Sequence, residues 1–156
     1  MTTALRAETK EVTLRARRTG ESLPLRPATS GLRILLAEDD PEMRALVAGA
    51  LRRDGFEVDE VDDGEALLDR IEHMVRTHRW GYYAAVVTDV RMPVLSGLDI
   101  LAVLHCSGSM MPVIIITAFG DEEIHAEARE LGAAAVFDKP FDVDALRDAV
   151  RSAVGT

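Results

Sequence analysis

Five short apolar segments alternate with five amphipathic stretches, and this alternation constrains the fold of the 156-residue chain more than any other feature. The apolar segments span residues 32–37, 56–61, 84–88, 112–117 and 134–137. Four of them lack regular polar alternation, which is typical of strands buried on both faces. The stretches between them carry apolar residues at helical spacing, as in Met43, Leu46, Val47, Ala50 and Leu51. The pattern predicts an α/β fold, a doubly wound five-stranded parallel sheet with helices on both faces.

The composition changes near residue 32 and predicts two parts. Residues 1–31 hold six basic and three acidic residues without a sustained apolar period, whereas residues 32–156 hold twelve basic and twenty-four acidic residues. We expect a flexible basic N-terminal tail over 1–31 and one folded domain over 32–156. The tail could be a solvated leader without function, or an arm that docks onto a partner or binds anions.

Charge and composition exclude several classes of function. The net charge of −9 disfavours direct binding of nucleic acid or of an anionic membrane. The single cysteine excludes an internal disulfide and a multi-cysteine metal site. The apolar runs are too short to insert into a membrane, and the first residues lack the apolar core of a secretory signal. We therefore expect a soluble protein of the cytoplasm.

Polar side chains follow four of the predicted strands where those strands end. Glu38 and Asp39 follow the first strand, Asp89 the third and Lys139 the fifth, while Thr117 ends the fourth. In a parallel α/β sheet the functional crevice lies at the carboxyl ends of the strands. We therefore expect a cluster of carboxylates with one hydroxyl and one ammonium group at that edge.

This combination of groups suits phosphoryl transfer. Clustered carboxylates repel each other unless a cation neutralises them, and Mg²⁺ is the hard divalent ion that fits Glu38, Asp39 and Asp89 best. Asp40, which precedes Pro41, is instead interpreted as a helix cap. A carboxylate beside Mg²⁺, with a lysine and a hydroxyl nearby, can attack phosphorus and form an aspartyl phosphate. The chain has no glycine-rich phosphate loop, so the phosphoryl donor must come from outside.

Residues 32–154 resemble the receiver domain of two-component response regulators, in particular the stand-alone type of the chemotaxis regulators. The matching segments are ILLAEDD at 34–40, DDG at 62–64, VVTDVRMP at 86–93 with Gly97, PVIIITA at 112–118, GA at 132–133 and KPF at 139–141. Each segment alone is a weak signal, but their order and spacing together are specific. The resemblance implies a flavodoxin-like (βα)5 fold with strand order 2-1-3-4-5.

The resemblance also implies a role for each residue at the strand ends. Asp39 would bind Mg²⁺ directly and Glu38 through water, with Asp89 and the backbone carbonyl of Arg91 as further ligands. Asp89 would accept a phosphoryl group from a phosphohistidine on a sensor histidine kinase or a histidine phosphotransfer protein.

Thr117 and Lys139 would contact that phosphoryl group, and a cis peptide is expected at Lys139–Pro140. The fourth helix, fifth strand and fifth helix would form the face that binds a downstream protein. We expect a binding module rather than an enzyme, either a monomer or a dimer that forms on phosphorylation.

The chain departs from the family pattern beside the predicted site. Many receivers have an aromatic residue three positions before the lysine, where this chain has Val136. Phe137 is its strand neighbour and should point to the opposite face, so it should not replace that aromatic residue. Phe119, two residues after Thr117, is expected to shield the acyl phosphate from water. The aromatics at Trp80, Tyr82 and Tyr83 either cover the sheet edge or form a partner surface.

Two other functions fit parts of the sequence. A phosphatase of the haloacid dehalogenase type would place a second aspartate two residues after the nucleophile, but Arg91 stands there. The other alternative is a receiver-like adaptor that binds its partners without phosphorylation. A chain that ends near residue 156 is expected to be either a single-domain regulator or a fragment of a longer one.

Overall fold

The fold is seen in a computed structural model that describes residues 29–118 and 122–155. Five strands alternate with five helices, as the apolar pattern predicts. In chain order they are β1 (Arg33–Ala37), α1 (Pro41–Arg53), β2 (Glu57–Val61), α2 (Gly64–Arg76), β3 (Ala85–Asp89), α3 (Gly97–Cys106), β4 (Val113–Ala118), α4 (Glu122–Glu130), β5 (Ala135–Lys139) and α5 (Val143–Val154). Strands β3 and β4 end one residue and β5 two residues beyond the apolar segments. An apolar run stops at the first polar residue, whereas Asp89 and Lys139 continue β3 and β5.

All five strands are parallel and lie in the order β2-β1-β3-β4-β5, which confirms the predicted fold class and strand order. In this order the first strand lies beside the third, and the third beside the fourth. Asp89, the last residue of β3, is paired in register with Ile116 of β4. Thr117 is paired with Asp138 of β5. The register therefore brings the ends of β1, β3, β4 and β5 to a common edge.

The sheet is packed on both faces. Leu35 and Ile115 belong to a core shared with α2, α3 and α4, whereas Ile34 and Ile114 belong to a second core shared with α1 and α5. Neighbouring residues of one strand thus enter different cores, as the period of two requires. The same rule places Val136 in the first core and Phe137 in the second, which confirms that Phe137 does not substitute for an aromatic at 136.

Helix α1 shows where the helical pattern was inexact. Its fully buried residues are Val47, Ala48, Ala50 and Leu51, whereas Leu46 keeps 49% of its surface exposed. The helix starts where the sequence places it, since the Asp40 side chain accepts a hydrogen bond from the Glu42 amide at 3.0 Å. Asp40 is therefore a helix cap, as interpreted from Asp40-Pro41.

The loop between α2 and β3 divides the aromatic cluster. Tyr83 is buried and its hydroxyl donates to Asp59 Oδ2 at 2.8 Å, while the Arg33 guanidinium lies 5.1 Å from the centre of the Tyr82 ring. Trp80 remains 64% exposed. The two tyrosines thus fasten this loop to the strands, in line with the simpler of the two interpretations.

Two predictions fall on residues outside the described part of the chain. Residues 1–28 of the predicted tail and Phe119 belong there, so both predictions stay predictions. Thr29 is buried, and its hydroxyl donates to the backbone carbonyl of Asp54 at the end of α1. Within the residues that the structure describes, no helix combines the length and apolarity needed to cross a membrane.

Candidate functional site

The candidate site lies at the carboxyl edge of the sheet, where four strands deliver their polar ends. Glu38 directly follows β1, and its amide donates to the Val61 carbonyl at 3.1 Å. Asp89 and Lys139 are the last residues of β3 and β5. The cis peptide expected at Lys139–Pro140 is present.

Lys139 reaches across the sheet edge to both buried carboxylates. Its Nζ lies 2.6 Å from Asp89 Oδ2, and 3.2 and 3.1 Å from Glu38 Oε1 and Oε2. Partial burial lowers the pKa of Lys139, but the hydrogen bond to Asp89 and the negative charges of Asp89 and Glu38 outweigh that effect and raise it. Lys139 is therefore a charged ammonium group in the site.

The three carboxylates predicted to form the metal site lie together. Ligand oxygens of Glu38, Asp39 and Asp89 are all within 4.8 Å of one another, so the sequence grouped them correctly. Glu38 is 1% exposed, and the Lys139 ammonium group is shared between its carboxylate and that of Asp89. Burial, followed by the negative charge of Asp89, raises the pKa of Glu38 to about 7.

This donor set fits a hard divalent cation. Carboxylate oxygens are the ligands that Mg²⁺ prefers, and Mg²⁺ needs only one or two of them because it keeps several waters. Asp39 is exposed, so its carboxylate is on the solvent side of the two buried ones. One ammonium group shared between two buried carboxylates, with a third carboxylate beside them, leaves net negative charge that a divalent cation would compensate.

Asp89 is held from two directions. It is 4% exposed, and its Oδ1 accepts a hydrogen bond from the Arg91 amide at 3.0 Å. On the backbone side, α3 begins so close that a Cβ added to Gly97 would lie 2.4 Å from the Asp89 carbonyl oxygen. The sequence motif contained Gly97 without indicating this contact, because the contact depends on how α3 packs on β3.

Thr117 lies at the same edge but does not yet contact the carboxylates through a hydrogen bond that the structure describes. It is buried, and its hydroxyl donates to the Ala118 carbonyl at 3.3 Å. It follows Ile116, the register partner of Asp89. Its hydroxyl is thus bonded to the backbone of its own strand end.

Arg44 is a site neighbour that the sequence reasoning missed. Its Nη1 donates to the backbone carbonyl of Glu38 at 2.9 Å, and its Nε lies 3.6 Å from Glu60. The contact fastens the first turns of α1 to the loop that carries Glu38 and Asp39. Only its position in the first turns of a helix after the acidic segment could have pointed to it.

Comparison with known proteins decides the family. Residues 34–151 match the family described as response regulator receiver domain. The chain belongs to this family. It is 37% identical over 124 residues to the transcriptional regulatory protein FixJ of Azorhizobium caulinodans, a match covering 80% of this chain and 56% of that one. It is 32% identical over 119 residues to sporulation initiation phosphotransferase F of Bacillus subtilis, covering 76% of this chain and 90% of that protein.

Solved structures agree with this receiver assignment. A receiver domain protein from Clostridium thermocellum superposes with a TM-score of 0.67 at 28% identity, covering 80% of this chain and 94% of that one. Full-length FixJ from B. japonicum superposes with a TM-score of 0.68 at 35% identity, covering 81% and 59%.

Several relatives are longer than the part that matches. The chain spans 56% of FixJ from A. caulinodans and 27% of the C4-dicarboxylate transport transcriptional regulatory protein DctD of Pseudomonas aeruginosa. Receiver domains are phosphoryl-accepting signalling domains, so this chain is a module of phosphorylation-dependent two-component signalling. The roles of individual residues within it remain predictions.

Proposed function

We propose that Asp89 is the phospho-acceptor and that a phosphohistidine on a sensor histidine kinase or a histidine phosphotransfer protein is the donor. The observation that carries this proposal is the position of the Asp89 carboxylate. It lies in a group of three carboxylates and 2.6 Å from a lysine ammonium group. A buried carboxylate with a cation at hydrogen-bond distance has the arrangement needed to stabilise a transferred phosphoryl group.

The transfer is a displacement at phosphorus. A carboxylate oxygen of Asp89 forms the new P–O bond while the P–N bond of the phosphohistidine breaks, and the electron pair of that bond returns to the imidazole nitrogen. Lys139 already holds Asp89 Oδ2 and is in position to neutralise an oxygen of the incoming group. Water later hydrolyses the acyl phosphate and restores the carboxylate.

Mg²⁺ is the proposed cofactor. Glu38, Asp39 and Asp89, together with the backbone carbonyl of Arg91, would hold it, with Glu38 acting through a water molecule. When bound, Mg²⁺ supplies positive charge that reduces the repulsion between the site and an incoming phosphoryl group. The excess of three carboxylates over the ammonium group of Lys139 at this edge is the feature of this chain that supports the assignment.

The expected consequence of phosphorylation is a change in partner binding. Thr117 would exchange its bond to the Ala118 carbonyl for one to the phosphoryl group, and Lys139 would share its charge with that group. Both residues lie at strand ends that lead into the face formed by α4, β5 and α5. We propose that this face docks a downstream protein, and that the module acts in the cytoplasm without catalytic turnover of its own. Its oligomeric state is proposed to be a monomer or a dimer that phosphorylation induces.

A small-molecule phosphodonor, acetyl phosphate, tests the assignment with purified protein and Mg²⁺. We expect intact-mass analysis to show one added phosphoryl group, and Asp89→Asn to abolish it. Asp148→Asn removes an equivalent charge from an exposed position on α5 and should be labelled like the wild type. Phosphate added at Asp148 or elsewhere in Asp89→Asn would contradict the assignment.

Two further measurements separate the competing functions. Asp39→Asn should raise the Mg²⁺ concentration needed for half-maximal labelling by at least about tenfold, because a charged ligand is lost. Phosphate release far beyond one equivalent from a phosphomonoester, with no phosphorylated protein accumulating, would indicate a phosphatase. A chain that binds its partner without any labelling would be the phosphorylation-independent adaptor.

A further inference from the structure

A polar pair joins α4 to the end of β5, close to the candidate site. His125 Nε2 lies 2.7 Å from Asp138 Oδ1, and the two side chains are 22% and 38% exposed. Asp138 immediately precedes Lys139 and is the register partner of Thr117. The pair therefore includes a residue of the β5 end and lies beside the β4 end, the two strand ends that carry the groups expected to move on phosphorylation.

Helix α4 depends on such contacts more than its neighbours do. Ala128 is its one fully buried residue, whereas α3 buries Gly97, Ile100, Leu101 and Leu104. Less apolar burial means that a helix separates from the sheet at a smaller cost in free energy. A partly buried polar pair consequently contributes a larger share of the contacts that hold α4 than it would for α3.

The neighbouring position on β5 cannot supply this contact. Val136 lies two residues before Asp138 and so faces the same side of the sheet, and it packs in the core shared with α4. Its side chain has no polar group. Asp138, two residues further on, supplies a polar connection between the end of β5 and α4 through its contact with His125.

We propose that the His125–Asp138 pair is a positioning contact through which phosphorylation of Asp89 resets the placement of α4 against β5. The inference rests on the proposed function of Asp89. When Lys139 and Thr117 turn toward a phosphoryl group, the backbone of their strand ends shifts, and the carboxylate of Asp138 moves with it. The pair belongs to the unphosphorylated arrangement and weakens in the phosphorylated one.

Linkage makes the proposal quantitative. If phosphorylation of Asp89 weakens the His125–Asp138 contact by some factor, the contact must lower the equilibrium constant for phosphorylation by the same factor. A partly exposed pair of this kind corresponds to a factor of about two to five. Asp138→Asn and His125→Gln should each accelerate amide exchange in residues 122–130 by that factor, and should raise the extent of labelling at limiting acetyl phosphate by a similar factor.

Three variants provide the controls. Asp148→Asn breaks the 2.5 Å contact between Arg151 and Asp148 on α5 and should leave exchange in α4 unchanged. The double variant Asp138→Asn with His125→Gln should be no faster than either single variant, because both remove one contact. The swapped pair, His125→Asp with Asp138→His, should restore slow exchange.

The decisive experiment is the NMR signal of the His125 ring nitrogens, recorded at one pH before and after labelling with acetyl phosphate and Mg²⁺. A purely structural pair gives the same signal in both states, whereas the proposed contact shifts it, and the Asp138→Asn protein shows a much smaller change. An unchanged His125 signal in protein that mass analysis shows to be phosphorylated would overturn this inference alone. Absence of any added phosphoryl group would instead refute the proposed function of Asp89.

Discussion

Replacing Gly97 by alanine tests how tightly the site depends on the packing of α3 against β3. The new Cβ would lie 2.4 Å from the Asp89 carbonyl oxygen and 3.1 Å from Thr88 Cγ2. Cβ contacts below 3.0 Å essentially do not occur, so α3 and the end of β3 must separate by at least about 0.6 Å. The φ angle of Gly97 is outside the left-handed region, so the expected effect is steric rather than conformational.

Two consequences follow from a displacement of this size. Overpacking costs about 1–3 kcal/mol, part of which the better helix propensity of alanine offsets, so we expect the free energy of unfolding to fall by about 1–2 kcal/mol. The Asp89 backbone moves relative to Lys139, and errors approaching 1 Å in the position of a reacting group reduce rates by up to about a hundredfold. Labelling of Gly97→Ala by acetyl phosphate should therefore be about ten- to a hundredfold slower than in the wild type.

Intact-mass analysis of samples quenched at successive times measures the labelling rate. Urea unfolding monitored by circular dichroism measures the free energy of unfolding. Gly49→Ala in α1 is the matched control, because its added Cβ would find only the flexible Arg53 Nη1 at 3.9 Å. That variant should gain about 0.5–1 kcal/mol of stability and label normally. If Gly97→Ala unfolds at the wild-type urea concentration and labels at the wild-type rate, the steric argument is wrong.

Two further predictions concern stability. Asp54 is 8% exposed and its Oδ1 lies 2.5 Å from Arg147 Nη2, a hydrogen bond that lowers the pKa of Asp54 below its ordinary value. Asp54→Asn should therefore cost about 1–2 kcal/mol at neutral pH. Because the pKa of folded Asp54 is below its ordinary value, the difference should begin to shrink only below about pH 4 and should disappear once the pH falls below that lowered pKa. Urea titrations from neutral pH down to the lowest pH at which the protein stays folded measure it, and a constant difference would contradict it. Val94 has φ of 72° and is 81% exposed, so its backbone is strained and its side chain is mostly in solvent. Val94→Gly should therefore raise the free energy of unfolding, measured by urea titration, by about 0.5–1 kcal/mol. A loss of stability would show that the valine side chain is needed.

Much of the fold was predictable because it depends on short-range patterns. Buried parallel strands are read from continuous apolar runs, and this worked for β1, β3 and β4, whose residues are almost fully buried. Leu46 of α1 belongs to the predicted apolar stripe, but half of its surface is exposed. A helical stripe does not say which of its edges faces the sheet, since that depends on how the helix is rotated in the packed protein.

The sequence predicted which charged residues form the candidate site, but not which contacts hold them in place. Glu38, Asp39, Asp89 and Lys139 could be grouped because the ends of parallel strands share an edge, a consequence of topology alone. The topology argument identified neither Arg44 nor the His125–Asp138 pair. Their contacts join helices to strand ends, and no local pattern encodes such distances.

The order of residues along the chain was sufficient to determine the succession of strands and helices, the family and the identity of the charged groups at the sheet edge. These properties depend on periodicity and on spacing between neighbours. Tertiary structure alone decided that one ammonium group bridges carboxylates 50 and 101 positions away, that the Glu38 carboxylate is almost fully buried, and that a glycine presses on the Asp89 backbone. Such contacts are set within fractions of an ångström by the packing of helices on the sheet, which couples residues that are distant in the chain.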